Sequence, residues 1–114
     1  MLSTNLINDL LAFRQERDWE QFHDPRNLSA AITIEAAELQ EIFLWARDDE
    51  ITARVADRRL EIEHEVADVV VLLSYLCHDL GIDIEAAVQQ KLALNREKYP
   101  VDKCRGLSKK YDQL

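Results

Sequence analysis

Apolar side chains recur along the chain at the three- and four-residue intervals of an amphipathic α-helix. This spacing predicts four helices, over residues 5–16, from 27 or 28 to 47, 60–80 and 84–99. Residues 3–5 are polar and can cap the first helix, Gly81 follows the third as a C-terminal cap, and Asp83 precedes the fourth. Pro100 is expected to end the fourth helix because proline cannot continue one.

Three segments do not follow this pattern. Residues 19–27 combine a proline with a dense aromatic cluster and are predicted to form a structured loop. Residues 48–59 are densely charged, which predicts a short exposed helix or a loop. Residues from about 101 to 114 are predicted to form a basic, irregular tail.

Composition narrows the fold class. Two glycines and two prolines supply little of the turn chemistry that a multi-stranded sheet needs, whereas 47% hydrophobic and 32% charged residues suit amphipathic helices. The 114 residues fit one all-α domain, residues 1–114. A domain of this size buries a modest core, so packing against copies of itself is expected.

Charge and hydropathy restrict the partners. The excess of 22 acidic over 14 basic residues gives a formal net charge of −8, which disfavours long nucleic acid but permits a single nucleotide held through divalent metal. The longest apolar stretch, residues 69–73, is too short to cross a membrane, and no signal-like leader is visible. Cys77 and Cys104 are too few for a disulfide framework. We therefore expect a reduced, soluble, cytoplasmic protein without a membrane partner.

The acidic residues of the second and third helices lie at unusual positions. With about 100° of rotation per residue, Glu35 falls at the centre of the apolar stripe and Glu38 at its edge, with Trp45 two turns further along. Glu65 and Asp68 lie likewise among apolar side chains of the third helix, which is expected to be largely buried. Four carboxylates on two facing helices would repel one another unless cations lie between them.

Carboxylate oxygens without accompanying cysteine or histidine favour a hard ion, Mg²⁺ or in its place Mn²⁺. Two such pairs can hold one or more ions and leave positions for phosphate and water. The chemistry natural to this arrangement is phosphoryl or nucleotidyl hydrolysis, in which one carboxylate orients or deprotonates the attacking water. The alternative is that these acids form salt bridges with Arg or Lys of neighbouring helices. Glu41 and Glu63 fall outside the stripes and are expected to be solvated.

Other side chains are candidates for contacting a substrate. Lys91, Asn95 and Lys98 form a row along the fourth helix, which either holds phosphate oxygens or is a solvated rim over the core. The aromatic candidates for stacking on or hydrogen-bonding to a nucleobase are Trp19, Phe22, His23 and Trp45. Packing in the core is the alternative for each of them.

The acidic motifs and several flanking segments occur in an ordered set. The tetrapeptide EAAE at 35–38 is followed, after a gap of 26 residues, by EVAD at 65–68. Segments 17–23, 25–28, 43–45 and 95–100 accompany them. This set resembles the ExxE…ExxD signature of the MazG-like superfamily of all-α nucleotide pyrophosphohydrolases, and in particular its short single-domain branch, which includes the dCTP pyrophosphatases. The similarity runs from about Leu10 into the tail.

The resemblance implies a four-helix bundle that assembles into a dimer or a dimer-of-dimers tetramer. It also implies Mg²⁺-dependent hydrolysis of a nucleoside triphosphate between its α and β phosphorus atoms, giving the monophosphate and pyrophosphate. The implied metal ligands are Glu35, Glu38, Glu65 and Asp68, of which Glu38, with Glu35, is also catalytic by activating water. The implied substrate contacts are Trp19, His23, Trp45, Lys91, Asn95 and Tyr99. One departure is Leu72, where a sugar-contacting aromatic is expected in the closest relatives.

Several functions remain to be distinguished. The Trp19/Trp45 pair favours a small base, and so dCTP or a related pyrimidine deoxynucleotide. A phosphoribosyl-ATP pyrophosphohydrolase shares the acidic framework and is the main alternative substrate class. A non-enzymatic helical oligomerisation module would use the acids only in interfacial salt bridges. A di-iron protein is disfavoured because it needs two Glu-x-x-His motifs, and only Glu61 to His64 provides one.

Overall fold

Helices form every regular element of the structure, a computed structural model that describes residues 1–114. The six α-helices are α1 (Thr4–Glu16), α2 (Pro25–Glu41), α3 (Ile51–Asp57), α4 (Arg59–Leu80), α5 (Ile84–Lys98) and α6 (Val101–Cys104). Three 3₁₀-helices lie at Glu20–Phe22, Asp48–Glu50 and Tyr111–Gln113. The predicted all-α class is confirmed. None of the helices is both long and apolar enough to span a membrane.

The chain divides into two compact units at the end of α4. The first unit, Leu2–Gly81, contains α1 to α4, and its most extensive helix pairing is that of α2 with α4. The second unit, Ile82–Leu114, contains α5, α6 and the last 3₁₀-helix. Both acidic motifs therefore belong to the first unit.

Local capping explains why most predicted boundaries hold. Ser3 accepts a hydrogen bond from the backbone N–H of Leu6 at 3.2 Å and starts α1. Gly81 ends α4 in the left-handed conformation, with φ +66°. Asp83 caps α5 by accepting from the N–H of Ala86 at 3.1 Å, and α5 ends two residues before Pro100.

The second helix is shifted relative to its prediction at both ends. It begins at Pro25, because Asp24 accepts from the backbone N–H of Asn27 at 2.7 Å and proline is favoured in a first turn. It ends at Glu41 rather than near residue 47. Apolar periodicity continues through Leu44, but the N–H groups beyond Glu41 bond three residues back, and Trp45 adopts φ +64°. Tight turns, which side-chain periodicity does not reveal, replace the last helical turns.

Two other segments contain more structure than a hydropathy pattern indicates. Residues 48–59 form the 3₁₀-helix Asp48–Glu50 followed by α3, which agrees with the predicted short exposed helix. The tail predicted to be irregular contains α6 and a 3₁₀-helix. Within the second unit, the ring of Tyr111 lies edge-on to the ring of Tyr99, and Lys98 Nζ lies 4.6 Å from the Tyr111 ring centroid.

The core of a single chain is thin. Only Leu28, Ile42 and Tyr75 are buried apolar side chains, with Arg14 and Ser74 as buried polar ones. The expectation that the third helix is largely buried is wrong for an isolated chain: only Ser74 and Tyr75 of α4 are buried, and its other apolar side chains are partly or largely exposed. The reason is that only α2 packs extensively against α4, whereas α3 and α1 make smaller contacts with it.

Gly81→Ala is expected to lower the free energy of unfolding by about 1 kcal/mol, because a Cβ disfavours the left-handed conformation. No atom lies within 4 Å of a Cβ built at Gly81, so the loss reflects backbone conformation and not a clash. Urea unfolding followed by circular dichroism measures it. Gly81→Asn is the matched control, with a smaller loss because asparagine tolerates this conformation. Equal losses in both variants would contradict the backbone explanation.

Candidate functional site

The packing of α2 against α4 brings three acidic side chains together. Glu35 and Glu38 lie one turn apart on α2, and Glu65 lies on α4. One carboxylate oxygen from each of the three lies within 4.8 Å of the others. We call Glu35, Glu38 and Glu65 the acidic cluster. A single cation could contact all three carboxylates at this spacing.

The acidic cluster contains buried oxygens that lack partners. Oε2 of Glu35 and Oε2 of Glu65 are inaccessible to solvent and accept no hydrogen bond. Buried carboxylate oxygens are normally paired with donors, with cations or with a metal. The side chain of Glu38, by contrast, is exposed. The cluster thus combines two buried oxygens that lack partners with one carboxylate that solvent can reach.

No basic side chain neutralises the acidic cluster. The structure contains no ion pair to Glu35, Glu38 or Glu65, so the salt-bridge alternative has no support within one chain. The neighbouring acids of α4 differ in this respect: Glu61 pairs with Arg58, and Glu63 pairs with Arg59 at 3.0 Å. Glu63 and Glu41 are exposed, as predicted.

Burial and mutual repulsion raise the pKa values of the clustered acids. The pKa of Glu35 rises to about 7, mainly through burial and then through the adjacent Glu38, with smaller contributions from the charges of Asp68 and Glu65. The pKa of Glu65 is also raised, by burial first and by the charge of Glu38 second. Each shift indicates a carboxylate whose negative charge the surrounding protein does not balance.

Asp68, the fourth predicted ligand, lies outside this tight group. Its side chain is exposed on α4, one turn after Glu65, and it is not among the three acids whose oxygens converge. It does line the same cavity as Glu35. The structure therefore assembles three of the four predicted acids directly and places the fourth beside them.

A cavity of 350 Å³ adjoins the acidic cluster. Its volume is near the lower end of the range for small-molecule sites. Besides Glu35 and Asp68, its walls are aromatic and aliphatic, formed by Leu10, Phe13, Trp19, His23, Val71, Leu72 and Tyr75. The structure thus places carboxylates beside apolar and aromatic surface, which suits a ligand with an anionic part and a flat apolar part.

The predicted contacts Trp19 and His23 both line this cavity. The ring of Trp19 packs edge-on against Phe13 at 5.7 Å, and the ring of His23 lies 5.4 Å from that of Tyr75. Leu72, noted above as a departure, is also on the cavity wall. Phe22, another aromatic candidate, is 60% exposed and does not line it.

Other predicted contacts are located elsewhere. Trp45 is 88% exposed, in the turn after α2, and does not line the cavity of its own chain. Lys91 and Asn95 lie one turn apart on α5, and Tyr99 follows that helix, so all three belong to the second unit. Their roles, like that of Trp45, stay predictions.

Sequence reasoning missed an arginine-centred group next to the cavity. Arg14 on α1 is only 4% exposed and donates two hydrogen bonds to Asp79, at 2.8 and 2.9 Å. Its Nη1 also lies 3.4 Å from Nδ1 of His23, and its guanidinium carbon lies 4.6 Å from the ring centroid of Tyr75. The available signal was a charged residue among the apolar positions of α1, the same anomaly that identified the acids.

Fold and site together define a class: an all-α protein with an acidic cluster on two packed helices beside an aromatic cavity. The MazG-like family model matches residues 30–114. The chain belongs to the MazG-like family.

Named relatives agree with this assignment. The chain is 39% identical over 104 residues to dCTP pyrophosphatase 1 of Homo sapiens and 40% identical to that of Mus musculus, in each case over 90% of this chain and 61% of the relative. The chain thus spans about three fifths of the length of these curated relatives. A pyrophosphatase of Archaeoglobus fulgidus, known from a crystal structure, is 42% identical with a TM-score of 0.81, over 84% of this chain and 90% of that one.

Proposed function

We propose that this protein is a nucleotide pyrophosphohydrolase. It would hydrolyse a nucleoside triphosphate between the α and β phosphorus atoms and release the monophosphate and pyrophosphate. The observation that carries the proposal is the acidic cluster, with its two unpartnered buried oxygens, beside an aromatic cavity. The names of the relatives, dCTP pyrophosphatase 1 and a pyrophosphatase, support the same reaction class.

Mg²⁺ is the cofactor that the ligand set fits best, with Mn²⁺ as a substitute. The donors are all carboxylate oxygens, which hard divalent ions prefer, and two of them have no other partner. Glu35, Glu38 and Glu65 would hold the ion, with Asp68 beside them. When bound, it would neutralise phosphate charge and lower the pKa of a coordinated water.

Glu38 is our candidate for the general base. It is the exposed member of the acidic cluster, so its carboxylate can reach an attacking water, whereas one oxygen of Glu35 is sealed from solvent. Glu38 would accept the proton of that water as the water attacks phosphorus. Glu35 would contribute to catalysis by holding the bound ion in position from the buried side of the acidic cluster.

The aromatic wall of the cavity suits a nucleobase as the part of the substrate that the protein recognises. Trp19 offers an aromatic face for stacking, and His23 offers a ring nitrogen for a hydrogen bond to a base. We propose a preference for dCTP or a related pyrimidine deoxynucleotide, which the name of the relatives, dCTP pyrophosphatase 1, supports. Lys91, Asn95 and Tyr99 are proposed to contact phosphate or sugar.

We also propose that the protein is a homodimer or a dimer-of-dimers tetramer. In the first unit, large apolar side chains are exposed that a single chain leaves uncovered, among them Ile34, Leu60, Val66 and Trp45. Large apolar side chains left exposed by one chain are commonly covered in subunit contacts. Trp45, absent from the cavity of its own chain, would then be free to act at a subunit boundary.

A pyrophosphate-release panel tests the reaction and the substrate together. With Mg²⁺, we expect release from dCTP to exceed release from the other common dNTPs, from NTPs and from phosphoribosyl-ATP by at least about tenfold, the scale of one differential contact. Chelation of Mg²⁺ should stop release. Equal rates with all nucleotides would contradict the base preference alone, and preference for phosphoribosyl-ATP would select that alternative. No release from any of them would favour a non-enzymatic module.

A further inference from the structure

The buried guanidinium of Arg14 has a specific anchor. Both of its terminal nitrogens donate to the carboxylate of Asp79, near the end of α4, in a two-pronged pair. Such a pair fixes the guanidinium plane as well as its position. The hydrogen bonds from Arg14 hold the pKa of Asp79 below its usual range, so this carboxylate remains charged.

Arg14 also lies within hydrogen-bonding distance of one ring nitrogen of His23. Arg14 Nη1 lies 3.4 Å from Nδ1 of the imidazole. A guanidinium has only N–H donors, so Nδ1 must accept the hydrogen bond through its lone pair, and the ring proton then resides on Nε2.

The charges around His23 favour the neutral ring. Burial lowers the pKa of His23 most, the positive charge of Arg14 lowers it further, and Asp79 opposes them in part. Tyr75, the other titratable group against the ring, has a pKa raised by burial and stays neutral. A second proton on Nδ1 would also face the Arg14 N–H directly. At neutral pH, His23 therefore offers one N–H donor and no charge.

That donor belongs to a residue on the cavity wall. With Nδ1 engaged by Arg14, Nε2–H is the ring nitrogen left for a ligand in the cavity. A single fixed donor recognises an acceptor, such as the carbonyl oxygen at position 2 of a pyrimidine. With the opposite tautomer, the same site would present an acceptor and select an amino group instead.

We propose that Arg14, anchored by Asp79, is a positioning residue that fixes His23 as the Nε2–H tautomer and so directs one neutral donor to a carbonyl oxygen of the bound nucleobase. The inference rests on the proposed function, because the base is the ligand of that function. It assigns Arg14 no contact with substrate.

Nuclear magnetic resonance of the full wild-type chain tests the tautomer without any turnover. The sequence has three histidines, so His64→Gln and His78→Gln assign the signals of His23 by elimination. Long-range ¹⁵N correlations should show a proton on Nε2 and none on Nδ1. A pH titration of the same signals should give a midpoint below that of an exposed histidine. In Arg14→Met, both tautomers should appear and the midpoint should rise, because Asp79 then acts alone. A protonated Nδ1 in the wild type would overturn the proposal.

Kinetics with two nucleotides separate positioning from general structural support. In Arg14→Met, we expect KM for dCTP to rise about fivefold, the scale of one hydrogen bond, with kcat changed less than twofold. For dATP, whose base has no carbonyl group, KM or the inhibition constant should stay constant. His23→Leu should show the same dCTP-specific rise, and the double variant should add nothing to it.

The control is Arg59→Met, which removes an arginine from an exposed pair with Glu63. This variant should change KM neither for dCTP nor for dATP. If Arg14→Met weakened the binding of dCTP and of dATP equally, Arg14 would have a general structural role, and the inference would be contradicted. If Arg14→Met does not fold, two measurements still test the inference: the tautomer of His23 in the wild type, and KM of His23→Leu for dCTP and dATP. An inactive wild type would contradict the proposed function, whereas the wrong tautomer in an active wild type would contradict this inference alone.

Discussion

Glu38→Gln is expected to reduce the rate of pyrophosphate release from dCTP by at least about 10³-fold. General-base catalysis by a positioned carboxylate contributes roughly 10²–10⁴-fold, and the amide also removes one negative charge from the acidic cluster. Glutamine keeps the length of the side chain, and Glu38 is exposed, so the fold should persist. The measurement is steady-state release at saturating Mg²⁺, with circular dichroism to confirm the helical content.

Glu41→Gln is the matched control for this variant. Glu41 is the last residue of the same helix, is exposed and lies outside the acidic cluster, so the same chemical change there should leave the rate within about twofold of the wild type. Turnover like that of the wild type in Glu38→Gln would refute the assignment of the base. A large loss in Glu41→Gln would show that charge in general, and not the cluster, governs the rate.

In metal-free buffer, Glu35→Gln should unfold at a higher temperature than the wild type at pH 8, and at nearly the same temperature at pH 5. The pKa of Glu35 is about 7 in the folded chain, against a usual 4.5. Between these values the unfolded chain has released this proton while the folded chain retains it. The contribution of Glu35 to the free energy of unfolding is therefore fully present below about pH 4.5 and is lost as pH rises through 7. An amide, which does not titrate, avoids that loss.

Added Mg²⁺ should narrow the difference between the two melting temperatures at pH 8. An ion that binds only the folded chain stabilises it by about 2.7 kcal/mol at 100 times its dissociation constant. Glu35→Gln should gain less because it lacks one charged ligand. Scanning calorimetry at pH 5 and pH 8, with and without Mg²⁺, measures both effects, with Glu41→Gln again as control. A wild type whose melting temperature does not respond to Mg²⁺ would contradict a metal site at the acidic cluster.

Much of the acidic cluster can be predicted from the sequence, because charged residues at apolar helical positions are visible from their near neighbours alone. Glu35 and Glu65 stand out as charges at apolar helical positions, and a rotation of 100° per residue suffices to place them. Their convergence requires only that the two apolar stripes pack together, which α2 and α4 do. Caps such as Gly81 and Asp83 are likewise determined by neighbouring residues.

Features set by distant contacts were not accessible in this way. The pair of Arg14 with Asp79 joins residues 65 positions apart, and nothing local to either residue indicates the other. The end of α2 depends on turns in which Arg54 donates to the carbonyls of Ile42 and Leu44, at 3.3 and 3.0 Å. The thin core of one chain reflects how its helices pack, which periodicity alone does not specify.

The left-handed backbone of Trp45 is a local source of strain. A bulky residue with φ +64° costs roughly 1–2 kcal/mol relative to glycine, and Arg54 holds the turn in place on one side. Trp45→Gly would relieve that cost and remove the one large ring that the turn presents to its surroundings. The wild-type chain is therefore less heat-stable than it could be, and selection for heat resistance alone would favour glycine at position 45. A loss of nucleotide affinity in the selected variant would support the proposed role of Trp45.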